Sequence, residues 1–277
     1  MNYRHAFHAG NFADLQKHAI VLALLKALTA EDAPLSVIDT HGGAGAYDLG
    51  GDMAQRSGEA AAGIGRLLAA DDVPAVFASL VAAVKALNGG GEGSLYPGSP
   101  LLVAGALRKT DRYTACELRP DDFDSLRRTL APYAFAQAIK DDGYTTAVSR
   151  AGKGAKSEAR TFVLIDPPFE RPDDYAQIVA TTRAVLAKDK RAVIAAWMPL
   201  KDLETFDAFM RAMETVTTDA LAAELRLRPL TDPMKMNGCA MVMVGAPQST
   251  EGAIAQITTW LAENLGDTGA KARIWRA

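Results

Sequence analysis

Leu35-Ser36-Val37-Ile38-Asp39-Thr40-His41-Gly42-Gly43-Ala44-Gly45 passes without a break from a short apolar run into a glycine-rich turn. An apolar run of five residues bounded by glycines reads as a buried strand, and glycines directly after it let the backbone approach a ligand closely. Open α/β sheets bind their cofactors at such a strand end. Working outward, Phe12 to Leu28 has helical spacing of Leu15, Ala19, Leu22, Ala23 and Lys26, with Asn11 or Gly10 at its start. Tyr113 to Leu118 resumes the sheet, Pro120 to Leu130 reads as a helix and Ala136 to Ile139 as a strand. Thr161 to Ile165 and Ala192 to Trp197 add two more apolar strands, separated by a helix from Asp173 to Ala187. A helix around Lys201 to Met213, an antiparallel pair at Glu224 to Arg228 and Ala240 to Val244, and a last helix from Glu251 to Leu265 complete the pattern. This βα alternation predicts a doubly wound, Rossmann-like sheet, mostly parallel with one reversed strand in a terminal hairpin.

Between the first two core strands the pattern changes. Met53 to Arg108 is alanine-rich and helical, interrupted by Gly89 to Gly93 and by Tyr96-Pro97-Gly98-Ser99-Pro100. The expected division is a core of residues 1–52 and 109–277 with a helical insertion at 53–108. Glu117, at the end of the second core strand, is placed to bind two ribose hydroxyls, although the insertion lengthens its distance from the glycine turn. Asp142-Gly143 follows the next strand and could frame an adenine edge.

Asp166-Pro167-Pro168-Phe169 closes the strand Thr161 to Ile165. A carboxylate, a proline carbonyl and an aromatic ring at a strand's carboxyl end can hold a planar exocyclic amine. Its lone pair is delocalised into the heterocycle, so it attacks a methyl donor poorly unless acceptors bind its hydrogens. Asp166 and the Pro167 carbonyl would be those acceptors, Pro168 stiffens the turn, and Phe169 offers a face for an unstacked base. The same four residues also read as a strand ending in a turn whose aspartate caps the next helix. In Gly152 to Ser157 the Lys156-Ser157 pair follows Ala155 and lacks the glycine before its lysine that a P-loop needs.

The 277 residues are 49% hydrophobic, enough for a sizeable core. Cys116 and Cys239 are too few for a disulfide framework and read as buried thiols. The start shows no signal peptide and no apolar run approaches the ~18 residues of a membrane span, so a cytoplasmic protein is expected. Net charge is −3, but basic residues gather at Arg108 to Arg112, at Arg127-Arg128 and from Arg150 through Lys153 and Lys156 to Arg160. Such clusters support RNA binding only if the fold brings them to one side. His5, His8, His18 and His41 have no matching carboxylate or cysteine spacing, and no metal is expected.

Taken in order, Tyr3-Arg4-His5, Phe7-His8-Ala9-Gly10-Asn11, Lys17-His18, Asp39-Thr40-His41-Gly42 with Gly45, Tyr96 to Pro100, Cys116-Glu117-Leu118 and Asp166 to Phe169 resemble the RlmJ family of bacterial ribosomal RNA adenine-N6 methyltransferases. The resemblance spans nearly the whole chain. It implies a class I methyltransferase fold, S-adenosylmethionine as cofactor and 23S rRNA as substrate, protein-free or at an early assembly stage. It also implies that His18, His41, Ser99, Glu117, Asp142, Gly143 and Asp166 hold the cofactor, that Asp166 is catalytic, and that Tyr3 meets the RNA, where the residues' own chemistry already places Pro167 and Phe169. Gly43, Ala46 and Phe169 depart from the residues usual in the family without removing a catalytic group. DNA adenine methylation, a non-catalytic nucleic-acid binder and a nicotinamide-dependent oxidoreductase are the competing readings.

Overall fold

A computed structural model describes residues 5–90, 94–153, 159–231 and 236–277. The helix α1 (Phe12–Thr29) is capped by Asn11, whose side chain accepts from the amides of Ala13 and Asp14, a contribution of about 1 kcal/mol. It is buried on nearly every side, Asp14, Lys17 and His18 included, because it lies between helices and a sheet. β1 (Leu35–Asp39) follows, then β2 (Ala46–Asp48), α2 (Asp52–Ser57), a π turn at Ala61–Gly65, α3 (Arg66–Ala69), α4 (Ala78–Leu87) and β3 (Leu95–Pro97). α5 (Ser99–Ala106) leads into β4 (Arg112–Cys116), α6 (Pro120–Leu130), β5 (Ala136–Ile139), α7 (Gly143–Arg150), β6 (Arg160–Ile165), α8 (Asp174–Lys188) and β7 (Val193–Leu200). The chain ends with α9 (Leu203–Glu214), β8 (Ala220–Arg226), β9 (Gly238–Val244), α10 (Glu251–Leu265) and β10 (Lys271–Arg276).

Among the described residues eight strands form one sheet in the order β10-β8-β9-β7-β6-β1-β4-β5. β7, β6, β1, β4 and β5 are mutually parallel. β9 pairs antiparallel with both β7 and β8, and β10 antiparallel with β8. Two strands are therefore reversed, where the sequence predicted one. The unexpected one, Lys271-Ala272-Arg273-Ile274-Trp275-Arg276, is too basic to read as a strand by itself and is held by its ladder to β8.

Period-two alternation splits the core into two layers. Val37, Phe162, Leu164 and Met241 face the layer that includes α1, α5, α6 and α10, while Ile38, Val163, Ile165 and Val242 face α7, α8 and α9. The chain runs from β1 outward to β4 and β5, then returns to β6 on the other side of β1, so the strand order reverses between β1 and β6. That reversal opens a crevice at the carboxyl ends of the two strands. Register sets Asp39 opposite Leu164, which brings the glycine turn after β1 beside the Asp-Pro-Pro-Phe turn after β6.

The stretch between β1 and α5 is framed by the small antiparallel ribbon of β2 and β3, with Tyr47 opposite Tyr96. Ser99–Ala106, within the 53–108 stretch, packs as α5 against α1, α6 and β4. The stretch between β1 and α5 packs on the start of α1 through Gly63: a side chain there would stand 2.1 Å from the Gly10 carbonyl oxygen. The same contact is closed by Ile64 N–H donating to Gly10 O at 2.8 Å and by Glu59 accepting from Asn11 at 2.8 Å.

Candidate active site at the carboxyl ends of the strands

Asp166 follows β6 directly, and its Oδ2 lies 2.5 Å from the Lys17 ammonium of α1. Lys17 also reaches Asp14 Oδ1 at 2.9 Å. Asp14 Oδ2 in turn accepts from Gly10 N–H at 2.9 Å and meets His5 Nε2 at 3.0 Å. Burial alone would lower the Lys17 pKa, but Asp14 and Asp166 outweigh it and hold the ammonium well above its ordinary value. Burial likewise opposes ionisation of Asp14, and contacts with His5 and Lys17 overcome it, keeping that carboxyl well below the usual range. The result is a buried row of alternating charge ending at Asp166, whose side chain remains 15% exposed toward the crevice. Its Oδ1 has no partner among the described residues.

Phe169 is the one non-glycine described residue with positive φ, 51°, a conformation a bulky side chain rarely adopts. Its ring sits 4.8 Å from Tyr175 and 5.8 Å from Trp197, centroid to centroid, and Trp197 lies 6.0 Å from the Lys17 ammonium. An aromatic wall therefore stands next to the Lys17–Asp166 pair. Pro167 is buried beside it.

On the β1 side, Asp39 is fully buried and Oδ2 accepts from Ser99 at 2.7 Å and Tyr113 at 3.2 Å, while Oδ1 accepts from His41 N–H at 3.3 Å. Glu117 accepts from Gly43 N–H at 3.0 Å and Arg119 N–H at 2.8 Å, which ties the end of β4 to the glycine turn despite the long insertion. Burial raises its pKa, with those amides opposing. His41 bonds Thr40 at 2.7 Å and stands edge-on to Tyr144 at 5.1 Å; burial lowers its pKa and keeps the ring neutral. Asp142 caps α7 through Thr145 N–H at 2.7 Å. His41, Ser99, Glu117, Asp142, Gly143 and Asp166 thus gather on one rim. His18 does not: it lies beneath, 1% exposed, with Nδ1 bonded to Tyr96 at 2.8 Å, and burial lowers its pKa to about 3. Tyr3 lies outside the described residues. Asp14, Lys17 and Trp197 were not singled out as site residues from sequence; a charged pair three apart on an otherwise apolar helix was the available signal.

Two expected results follow from this geometry. A Cβ at residue 143 would stand 1.9 Å from the Thr40 carbonyl oxygen. Gly143→Ala must push α7 away from the end of β1, at a cost of about 3 kcal/mol in urea unfolding. Burial, opposed by the Ser99 bond and supported by nearby Asp166, raises Asp39 from 3.8 to about 6. The folded protein therefore holds an extra proton between those values, and its stability declines as pH rises through that window. Asp39→Asn removes this contribution, on the order of 2–3 kcal/mol, so unfolding measured from pH about 4 to about 6 falls less steeply in the variant.

The family model described as "Ribosomal RNA large subunit methyltransferase D, RlmJ" matches residues 32–277. The chain belongs to the RlmJ family. Among RlmJ relatives, the ribosomal RNA large subunit methyltransferase J of Escherichia coli (strain K12) is 32% identical over 270 residues, 97% of this chain and 95% of the relative. The protein of the same name from Haemophilus influenzae is 32% identical over 271 residues, with coverage of 97% and 95%. The crystal structure of protein LPL1258 from Legionella pneumophila superposes with a TM-score of 0.89 at 28% identity, covering 98% of both chains. The chain thus shares its fold with a solved structure over nearly its whole length.

Proposed function

We propose that this chain transfers the methyl group of S-adenosylmethionine to the N6 amine of an unpaired adenine in large-subunit (23S) ribosomal RNA. The observation that carries the reading is Asp166, held by Lys17 through Oδ2 with Oδ1 left for a ligand, at the crevice where the strand order reverses. Membership in the RlmJ family supports ribosomal RNA as the polymer. The rim suits this cofactor: Glu117 offers carboxylate oxygens to a ribose diol, Asp142 and Gly143 an adenine edge, and His41 and Ser99 are fixed around Asp39. His18 supports the pocket from below through Tyr96.

S-adenosylmethionine supplies a sulfonium-bound methyl that is already electrophilic. The protein's task is alignment and lone-pair orientation. Asp166 Oδ1 and the Pro167 carbonyl accept the two amine hydrogens and draw the nitrogen toward tetrahedral geometry, while Phe169 stacks on the extruded base. When nitrogen has gained the methyl it carries a positive charge and sheds one proton, which Asp166 receives. Lys17 stays protonated, so it positions Asp166 and does not act as the base. Tyr3 would add a stacking face and a hydroxyl toward the RNA.

The test is transfer of labelled methyl from S-adenosylmethionine to protein-free large-subunit rRNA, with the product mapped by nucleoside mass spectrometry and matched DNA run beside it. N6-methyladenosine in the RNA supports the reading. Label in DNA alone replaces it with DNA methylation, and cofactor binding without transfer to either polymer replaces it with a non-catalytic binder.

A further inference from the structure

The described residues of the basic clusters lie at one end of the sheet, and it is the end away from Asp166. Arg112 opens β4, Arg160 opens β6, Arg127 and Arg128 end α6, and Lys190 with Arg191 precede β7. Arg112, Arg160, Lys190 and Arg191 stand at the amino ends of parallel strands, and Arg127 and Arg128 in the last turn of the helix that leads to β5, whereas Asp39, Glu117 and Asp166 stand at or just past the carboxyl ends. Residues 53–97 give no comparable charge, with three basic side chains, Arg56, Arg66 and Lys85, against four acidic ones, Glu59, Asp71, Asp72 and Glu92.

A cavity of about 630 Å³ opens at this pole beside the starts of β4 and β5, lined by Lys109, Asp111, Arg112, Tyr133 and Phe135 among others. Its one carboxylate is already spent. Asp111 is 2% exposed and accepts from Arg108 Nη2 at 2.9 Å, Arg108 N–H at 2.7 Å and Leu35 N–H at 2.9 Å. Lys109 and Arg112 are exposed and have no acidic partner among the described residues. Tyr133 and Phe135 stand edge to face at 5.9 Å and are only partly buried. Unpaired cations beside partly exposed aromatic rings are the combination that grips a single-stranded backbone and stacks its bases. A second cavity at the same pole, about 470 Å³, is lined by Arg160, Lys190 and Arg191. There Arg160 is paired with Glu31 at 2.9 Å and Asp219 with Arg276, leaving Lys190 and Arg191 outward.

We propose that this amino-terminal pole, centred on the cavity of Lys109, Arg112, Tyr133 and Phe135, is a second RNA-binding site that holds a segment of the substrate remote from the target base. The inference rests on the proposed function, which supplies the polyanion. A strand of five residues rises about 16 Å, a span that a folded RNA crosses while its target adenine reaches the opposite rim.

The experiment compares the full native chain with Lys109→Glu/Arg112→Glu for binding to protein-free large-subunit rRNA over a salt series. In parallel, S-adenosylmethionine affinity and N6-methyladenosine formation are measured. Losing two phosphate contacts makes the slope of log K against log salt shallower by roughly 1.4–1.8. The KM for rRNA rises about tenfold, kcat and cofactor affinity stay at native values, and short nuclease fragments of the same rRNA are methylated as by the native chain. Tyr133→Leu weakens rRNA binding severalfold without changing the salt slope. Should charge reversal disturb folding in urea unfolding, Lys109→Gln/Arg112→Gln carries the same expectation at smaller amplitude. Native slope and affinity in the charge variants, while the native chain methylates rRNA, overturn this site alone. Absence of methylation by the native chain overturns the functional reading itself.

Discussion

Asp166→Ala leaves a protein that folds but forms N6-methyladenosine about a thousandfold more slowly. The cause is local. Without the carboxylate the amine loses an acceptor for one hydrogen and the destination of its proton, while Lys17 keeps Asp14 at 2.9 Å and remains paired. Asp166→Asn is nearly as damaging, for a reason specific to this site. The amide must present its oxygen to the Lys17 ammonium, which occupies the Oδ2 position at 2.5 Å, and its NH2 then faces the substrate amine donor to donor. Single-turnover methylation of protein-free rRNA measures both variants. An asparagine variant at native rate would remove Asp166 from the chemistry.

Lys17→Met has the second-largest expected effect, and it divides between stability and rate. The side chain is 6% exposed between Asp14, 2% exposed, and Asp166. Removing the cation leaves Asp14 buried with His5 and the Gly10 amide as remaining close partners, and breaking a buried pair from one side costs about 3–5 kcal/mol. Because the lysine's pKa is raised above 10.5, its stabilisation is fully present below pH 10.5 and is lost only at higher pH. The rate falls about a hundredfold as Asp166 loses the contact that fixes its rotamer. Urea unfolding and kcat are measured on the same preparation. A less stable variant with unchanged kcat would make Lys17 structural only.

The main architecture was legible because its central strands are buried on both faces and therefore read as continuous apolar runs. Leu35–Asp39, Ala136–Ile139 and the helix Glu251–Leu265 stand where their patterns put them. β2 and β3 were not legible: three residues each, they exist because Tyr47 and Tyr96 pair across the chain. β10 was hidden by its basic composition. In the site, the rim residues announce themselves through glycine, proline and acidic residues at strand ends. Lys17 does not, since nothing within α1 says that its partner stands 149 residues away. The proposed ribose-binding role of Glu117 was visible only as a type and place; its tie to Gly43 required the fold.

That separation in sequence has a consequence for when the molecule becomes competent. α1 and α10 lie far apart in the sequence, yet α10 covers one face of α1. The Lys17 ammonium meets its second carboxylate only once β6 has joined the sheet beside β1. The ion pair at Asp166 therefore forms only after β6 has folded against β1, and α1 is covered only once α10 is in place.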